Sequence, residues 1–463
     1  MIIGLRCSTG HSATAAVFLP VVATGWAARP WLAGSAAVLL IAAALVTVRG
    51  RRLSGWVAAW LRWLARRTHR PPAPGPAEQG ATVRPGDPVA VRWQDDALCA
   101  LIELVPHPFT PTVVVGRTAH TDDWVDTELI EQLLAVSAPD LAADVISAGQ
   151  RRGSTAPTAL TALYDQVIGP APAPSYRRSW ILLRAVPARA QRSAAQRGDG
   201  AGGLASYLVA AATRLADQLS GSGVDAQPAA AFDAFDRATA IDFEREAWST
   251  IRGQSTFTTA YAAPGGGPDL WWSARADHTI TRIRVQPGRA PVSVVLLTTL
   301  AEPVTPHGFT RLSGGQRPAL TGNCPISDRH HRIPIGSAGV LIGQTAERHP
   351  VYLPFDDVDA SLTLADAELF TQFVVRAAAA GAVVMLPPQL AAFAAQIDAR
   401  VAETPAVRWP AATTYLSVRP ELPRVVVGPG VIHTPRHQGI GIELLSPREE
   451  RRFQSALASS AGP

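Results

Sequence analysis

The 463-residue chain contains no lysine, so arginine supplies all 42 of its permanently basic side chains. A Walker-type phosphate-binding loop, the strand lysine of a kinase, a Schiff base and a Ser/Lys dyad all need a lysine amine. The sequence therefore excludes these routes to nucleotide hydrolysis and amine catalysis. Cysteine is also scarce, because only Cys7, Cys99 and Cys324 are present, and their spacing suits neither a zinc site nor a disulfide framework.

Acidic side chains are missing from the first 77 residues, which carry nine arginines. Residues 12–28 and 30–48 contain no charged side chain and would extend about 25 and 28 Å as helices. These lengths approach the roughly 30 Å hydrocarbon core of a bilayer, so the sequence predicts a transmembrane hairpin. The excess of arginine after residue 48 predicts a multi-pass membrane protein whose N-terminus and large C-terminal domain are cytosolic. A cleaved signal peptide is the alternative interpretation of the first stretch.

A basic helix is predicted directly behind the second apolar stretch, over residues 49–70. Trp56, Trp60 and Trp63 recur at i, i+4 and i+7, a spacing that places them on one side of a helix. Tryptophan suits the membrane interface, and arginine suits anionic lipid headgroups. We therefore predict a membrane-interface or partner-docking surface formed by Arg49, Arg51, Arg52, Trp56, Trp60, Arg62, Trp63, Arg66, Arg67 and Arg70.

The rest of the chain is mildly acidic, because removing the nine N-terminal arginines from a net charge of +5 leaves −4 for residues 78–463. Nucleic acid is therefore not an expected partner. Residues 71–86, rich in Pro, Gly and Ala, are predicted to be a linker. Residues 87–463 are predicted to form a cytosolic α/β domain, as one large unit or two lobes. The predicted fold class is thus two N-terminal transmembrane helices, as a hairpin, followed by a mixed α/β domain.

Several elements of this domain can be predicted individually. Alternating β-prone residues predict a hairpin of 89–93 and 98–105, and an apolar face predicts a helix over 126–136. Residues 187–203 are expected to be a mobile loop. A strand at 351–353, a helix over 364–380 and a strand at 382–386 predict a strand-helix-strand crossover.

Two motifs resemble catalytic signatures without their full context. Residues 312–316 spell Leu-Ser-Gly-Gly-Gln, the signature pentapeptide of ABC ATPases, which we interpret as a turn because no Walker lysine accompanies it. Asp356, Asp357 and Asp359 have a spacing that suits Mg²⁺ or Mn²⁺, as in many nucleotide-sugar glycosyltransferases, or the start of a helix. We assign no catalytic, cofactor-binding or metal-ligating residue and expect no cofactor.

Ten segments distributed along the chain carry a specific family resemblance. They are Ser-Thr-Gly-His at 8–11, Gly-Trp-Val-Ala-Ala at 55–59, Val-Arg-Trp-Gln at 91–94, Pro-Phe-Thr-Pro-Thr-Val at 108–113, His-Thr-Asp-Asp at 120–123, Trp-Trp-Ser-Ala-Arg-Ala-Asp-His-Thr-Ile-Thr at 271–281, Gly-Gly-Gln-Arg-Pro-Ala-Leu at 314–320, Pro-Ile-Gly-Ser-Ala-Gly-Val-Leu at 334–341, Pro-Phe-Asp-Asp-Val-Asp at 354–359 and Thr-Gln-Phe-Val-Val-Arg-Ala-Ala-Ala-Ala-Gly-Ala at 371–382. With these segments the chain resembles EccE, the membrane component of the ESX or type VII secretion systems of mycobacteria and related actinobacteria.

The resemblance implies two membrane helices, a cytosolic α/β domain and a peripheral place in a complex of the inner (plasma) membrane with EccB, EccC and EccD, of which EccC supplies the ATPase. It implies no catalytic residue. The leading hypothesis is a structural, non-enzymatic subunit that supports export of WXG-type proteins and contacts anionic lipid. The alternatives are a membrane-tethered, metal-dependent glycosyltransferase-like enzyme using Asp357 and Asp359, and a regulator of complex assembly.

Overall fold

The structure is a computed structural model, and it describes residues 3–5, 46–48, 51–66, 78–79, 88–152, 158–263, 265–323 and 327–444. The α-helices in these ranges are α1 (Leu53–Arg66), α2 (Thr127–Ser137), α3 (Thr158–Ile168), α4 (Pro187–Ala195), α5 (Gly200–Gly221), α6 (Asp233–Thr239), α7 (Gly267–Ser273), α8 (Gln316–Leu320), α9 (Ala367–Ala380) and α10 (Ala391–Gln396). A short 3₁₀ helix covers Pro388–Leu390.

The strands in the same ranges are β1 (Ile3–Leu5), β2 (Val46–Val48), β3 (Arg51–Arg52), β4 (Glu78–Gln79), β5 (Ala90–Gln94), β6 (Ala97–Leu104), β7 (Thr112–Val115), β8 (Thr118–His120), β9 (Trp124–Asp126), β10 (Ala142–Gln150), β11 (Tyr176–Ala185), β12 (Ala226–Pro228), β13 (Arg245–Glu246), β14 (Ile251–Arg252), β15 (Phe257–Ala262), β16 (His278–Gln286), β17 (Arg289–Thr299), β18 (Thr310–Arg311), β19 (Arg332–Pro334), β20 (Val340–Gln344), β21 (Pro350–Leu353), β22 (Ala360–Leu364), β23 (Val383–Leu386), β24 (Arg400–Val401), β25 (Ala406–Arg408), β26 (Thr413–Tyr415), β27 (Arg424–Val427), β28 (Val431–His433) and β29 (Gln438–Gly441).

The structure corrects the predicted transmembrane hairpin. In the part of the chain that is described, no helix combines the length and apolar character needed to cross a bilayer. The end of the second predicted helix is β2, which pairs antiparallel with β1 and β3, and its β-branched Val-Thr-Val sequence favours that extended conformation. Residues 12–28 and 30–45 lie outside the described residues. The predicted fold class is therefore wrong, and the described chain is rich in β-structure arranged in several sheets.

The largest sheet has twelve strands, and its central path runs β13-β14-β15-β17-β16-β10-β11-β6-β5-β4, with β12 beside β6 and β18 beside β15. All of its pairings are antiparallel, so alternate residues face opposite sides. Val145 on β10 packs into a core closed by α2, α4 and α5. Its neighbour Ile146 faces a second core that includes Trp180, Phe232 and Phe235.

A third core lies between a four-stranded sheet, ordered β20-β21-β7-β8, and a mixed eight-stranded sheet, ordered β24-β23-β25-β26-β22-β27-β28-β29. Helix α9 is largely buried in this core. It begins at Asp366, whose carboxylate accepts a hydrogen bond from the Leu369 amide at 2.8 Å, and it ends at Gly381 with φ of +103°. These are standard helix caps, which explains where the helix starts and stops.

Several individual elements agree with their predictions. Strands β5 and β6 form the expected hairpin, and helix α2 begins at Thr127, one residue after the predicted position. The predicted crossover is wrong, because β21 and β23 belong to different sheets and the strand before α9 is β22. The predicted loop at 187–203 is also wrong, because α4 and the start of α5 occupy it.

We predict that Gly149→Ala strongly destabilises the protein, because a Cβ there would lie 2.0 Å from the Tyr176 carbonyl oxygen of the paired strand. We expect a loss of about 3 kcal/mol or more in the free energy of unfolding, measured by urea denaturation. Gly202→Ala is the matched control, since nothing lies within 4 Å of its added methyl group and Gly202 is helical. The control should be neutral or more stable, and equal losses in both variants would contradict the close approach at Gly149.

Candidate functional site

The predicted docking residues lie on and around helix α1. Arg51 and Arg52 form β3, and Arg66 is the last residue of α1. Arg62 Nε donates to the Ala58 carbonyl at 3.1 Å, within the same helix. Arg49, Arg67 and Arg70 lie outside the described residues.

We call the described residues from 88 onward the body. Two tryptophans of α1 attach the helix to the body by packing on Trp248, in the turn between β13 and β14. The Trp56 and Trp248 ring centroids are 6.0 Å apart, and those of Trp63 and Trp248 are 5.6 Å apart in an edge-to-face arrangement. Ala59 lies between them on the helix and is only 3% exposed. Edge-to-face aromatic pairs add specific stabilisation to the area they bury. We call Trp56, Trp63 and Trp248 the tryptophan cluster.

The Leu-Ser-Gly-Gly-Gln segment supports the tryptophan cluster from beneath. Gly314 has φ of +71°, its amide donates to the Trp248 carbonyl at 2.7 Å, and a Cβ on it would lie 2.5 Å from the Trp248 ring. A side chain at this position would therefore displace the indole. The segment is a turn, as predicted, with a structural use that the sequence did not reveal.

Gln316 fixes this turn to the edge of the large sheet. Its side chain is fully buried; Oε1 accepts from the Ala260 amide at 2.7 Å, and Nε2 donates to the Leu312 carbonyl at 2.9 Å. The side-chain amide of Gln316 thus bonds to the backbone of Ala260 on β15 in the way that a neighbouring strand would. The contacts of Trp248 with α1 and of Gln316 with β15 were not predicted from the sequence, because local spacing signals neither of them.

The neighbouring face of α1 remains apolar and accessible. Val57, Trp60, Leu61 and Leu64 are between 37% and 54% exposed, and we call these four residues the outer face. Trp60 was predicted to share one stripe with Trp56 and Trp63, but the structure brings only the latter two onto Trp248. Helix α1 therefore has one side that packs on Trp248 and an adjacent apolar side that is exposed.

The carboxylates of Asp356 and Asp359, in the acidic motif at 356–359, have different hydrogen-bond partners in the structure. The Asp356 side chain is buried, and the Ser337 hydroxyl donates to Asp356 Oδ2 at 2.6 Å. Asp359 instead accepts from the Thr413 amide at 2.7 Å. Among the described residues no group of three or more His, Cys, Asp and Glu side chains is placed to hold a metal ion.

Asp356 and Asp357 lie close enough to influence each other. Burial raises the pKa of Asp356, and burial together with the Asp356 carboxylate raises the pKa of Asp357 to about 8. The charges of Arg177 and Arg178 lower the pKa of Asp356 but do not outweigh its burial, and burial lowers the pKa of Arg177 itself to about 9. Asp357 therefore retains its proton near neutrality.

Comparison with known proteins identifies the family. The chain is 56% identical to the ESX-1 secretion system protein EccE1 of Mycolicibacterium smegmatis over 456 residues, covering 98% of both chains. It is also 56% identical to the protein of the same name from Mycobacterium tuberculosis over 457 residues, covering 98% of this chain and 99% of the relative. The chain belongs to the EccE family.

Two further matches agree with this EccE assignment. The family described as "Putative type VII ESX secretion system translocon, EccE" matches residues 173–263, from the strand β11 region through Trp248 to β15. The ESX-5 secretion system protein EccE5 of Mycobacterium marinum is 24% identical over 370 residues, covering 68% of this chain and 87% of that relative. The family resemblance derived from the sequence is thus confirmed.

We predict that Trp248→Ala loosens α1 from the body, because both aromatic contacts of the helix are lost together. Cleavage by trypsin at Arg62 should accelerate about tenfold or more, corresponding to a loss of roughly 1.4 kcal/mol in local stability. Trp60→Ala, which removes an exposed indole from the same helix, should leave the cleavage rate unchanged. Identical rates in wild type and Trp248→Ala would show that the cluster does not hold the helix.

We predict that the stability of the EccE-family body falls as pH rises from about 4 to 8. In that range folded Asp357 holds a proton that the unfolded chain releases, so deprotonation favours unfolding. Asp357→Asn should remove most of this dependence and raise the free energy of unfolding by about 2 kcal/mol at pH 9, as read from urea denaturation. Asp122→Asn makes the same change at an exposed position and serves as control. An unchanged pH profile in Asp357→Asn would rule out the buried pair as its source.

Proposed function

We propose that this chain is a structural, non-enzymatic subunit of a type VII (ESX) secretion complex and supports export of WXG-type proteins. The observation that carries the proposal is the 56% identity with proteins named as ESX-1 secretion system components, spread over 98% of the chain. Similarity of this extent covers both the body and the N-terminal segment, so it favours the same role for the whole chain.

The absence of lysine supports a non-enzymatic role. No lysine-dependent ATP site can form in this chain, and an EccC-like ATPase is the candidate source of the energy for export. Asp357 and Asp359, the residues of the alternative transferase hypothesis, form separate contacts. Asp357 belongs to a proton-holding pair and Asp359 is bonded to the Thr413 amide.

The contact surface that we propose is the outer face of α1 with the arginines around it. Its four apolar side chains recur at i, i+3, i+4 and i+7, the spacing by which an amphipathic helix binds a partner groove or a lipid surface. The surrounding 77-residue segment has nine arginines and no acid, which favours anionic lipid headgroups at the inner membrane and acidic surfaces of EccB-, EccC- and EccD-like subunits. Neither nucleic acid nor a small-molecule substrate is expected.

The experiment replaces Trp60 and Leu64 together by Glu, on the outer face but away from Trp248. In cells producing the whole secretion complex, we expect the variant to fold and to lose co-purification with the other membrane subunits by tenfold or more, because two charges would enter an apolar contact. Val136→Glu is the matched control, since Val136 is an 85% exposed helical residue far along the chain. Full recovery of the complex with the double variant would contradict the proposed surface.

A second measurement separates scaffolding from regulation of assembly. A structural subunit predicts that the complex from a strain lacking this chain is incomplete or smaller on native gels. Correct assembly and size of the remaining subunits in that strain would favour a regulator instead.

A further inference from the structure

Four arginines converge at one end of the large sheet, on the face opposite α5. Arg92 lies on β5, Arg184 on β11, and Arg282 and Arg284 on β16. The register places Arg184 opposite Cys99, and Cys99 opposite Arg92, so these side chains share a face. We call the four residues the arginine cluster.

One buried carboxylate, Asp144 of β10, lies among them. Arg284 stands opposite Asp144 in the register and occupies both carboxylate oxygens, with Nε to Oδ1 at 2.6 Å and Nη2 to Oδ2 at 2.9 Å. Arg92 has its own acceptor, Asp236 Oδ2, at 2.7 Å from Nη1. Two of the four guanidinium groups are thus paired by direct hydrogen bonds.

Arg184 and Arg282 are not paired in this way. Each side chain is 7% exposed, and the Nη1 atom of each has no hydrogen-bond partner among the described residues. Arg282 Nη1 is 3.9 Å from the already occupied Asp144, and Arg184 Nη2 is 3.6 Å from Asp96, a side chain that is 77% exposed. Two buried cations therefore lack adequate acceptors, an arrangement that costs free energy unless a ligand supplies them.

The charges around the cluster are not balanced. Asp144 and Asp236 pair with two of the four arginines, and the exposed Asp96 lies 3.6 Å from Arg184, so four cations beside Cys99 face three carboxylates. Burial raises the pKa of the Cys99 thiol to about 11, so it stays neutral and supplies no negative charge. Burial also lowers the pKa of Arg282 to about 10, the direction expected for a cation without enough neighbouring anions.

The loop after α8 packs against the cluster. Thr321 and Asn323 accept hydrogen bonds from Arg284 at 2.7 and 3.1 Å, at the exposed side of that arginine. Gly322, with φ of +78°, lies between them, and a Cβ on it would stand 2.7 Å from Arg282 Cδ. The glycine therefore lets the backbone pass directly over the arginines.

We propose that the arginine cluster binds a phosphate-type oxyanion, held chiefly by Arg184 and Arg282. A phosphate group is negatively charged near neutrality and presents acceptor oxygens, so it would offset the excess positive charge and supply acceptors for the vacant donors. Planar guanidinium groups bind such an oxyanion through paired hydrogen bonds, and this selects phosphate over a spherical halide ion.

The test titrates the purified full-length protein with inorganic phosphate, with chloride replacing it at constant ionic strength. Thermal unfolding should show a saturable rise in Tm with phosphate, and calorimetry should give one binding event per chain. Arg184→Gln and Arg282→Gln should each weaken phosphate binding by tenfold or more. Arg408→Gln, which makes the same change at an exposed residue of β25, should bind like wild type.

The same variants also report on the cluster without ligand. Because each removes a buried cation that lacks a hydrogen-bonded carboxylate, Arg184→Gln and Arg282→Gln should unfold in phosphate-free buffer at or above the wild-type Tm. Arg284→Gln should unfold at a lower temperature, since it leaves the buried Asp144 carboxylate without its hydrogen-bonded cation. No wild-type Tm rise in phosphate, or an equal rise in Arg184→Gln and Arg282→Gln, would overturn the proposal.

Glycerol 3-phosphate, added in a parallel titration, distinguishes the source of the oxyanion. Tighter binding than inorganic phosphate would assign the cluster to a phosphate ester such as a lipid headgroup. Tighter binding of inorganic phosphate would assign it to the free ion. Both outcomes support oxyanion recognition, and binding of neither compound contradicts it.

Discussion

The register of β10 is the constraint on which most of the body depends. This strand pairs with β11 on one side and β16 on the other along nearly its whole length. Its alternate residues supply two cores, as Val145 and Ile146 show, and Asp144 must face the Ile146 side to meet Arg284. A shift of one residue would exchange the two faces and bury Asp144 beneath α5 without a cation. The buried ion pair thus selects one register among those that hydrophobic alternation alone would tolerate.

Polar contacts, in contrast, connect the large sheet to the third core. Arg177 of β11 donates through its guanidinium group to the Gly336 carbonyl, and its amide donates to Ser337 Oγ at 2.8 Å. Ser337 in turn donates to Asp356, and Ser175 donates to the Ala380 carbonyl at the end of α9. Directional bonds of this kind fix how the two cores meet, whereas apolar contact alone would leave several similar arrangements.

Local signals predicted much of the secondary structure but little of its assembly. The β5–β6 hairpin and helix α2 were predictable because alternation and an Asp cap act over a few residues. The helix at Pro187–Ala195 was mistaken for a loop, although Pro187 in its first turn is a helix-start signal. The predicted crossover failed because the sheet that each strand joins is decided by distant partners.

In the candidate site, too, local features were predictable from the sequence and long-range contacts were not. Arginine and tryptophan in residues 49–70 were visible in the sequence, and so was their likeness to one family. Their partner Trp248 was not visible, because it lies nearly two hundred positions along the chain and no spacing rule connects it to Trp56. The transmembrane prediction failed at β2, where β-branched residues within an uncharged run favour a strand as much as a membrane helix.

The position of Trp248 has an evolutionary consequence. It lies in the turn between two strands of only two residues each, at the last positions of the large sheet and far from β10. A substitution or insertion in such an edge turn changes how α1 is held without disturbing the pairing that organises both cores. Variation there can alter which neighbour the chain accepts while the body keeps its fold, so contact preference and folding stability are free to change separately.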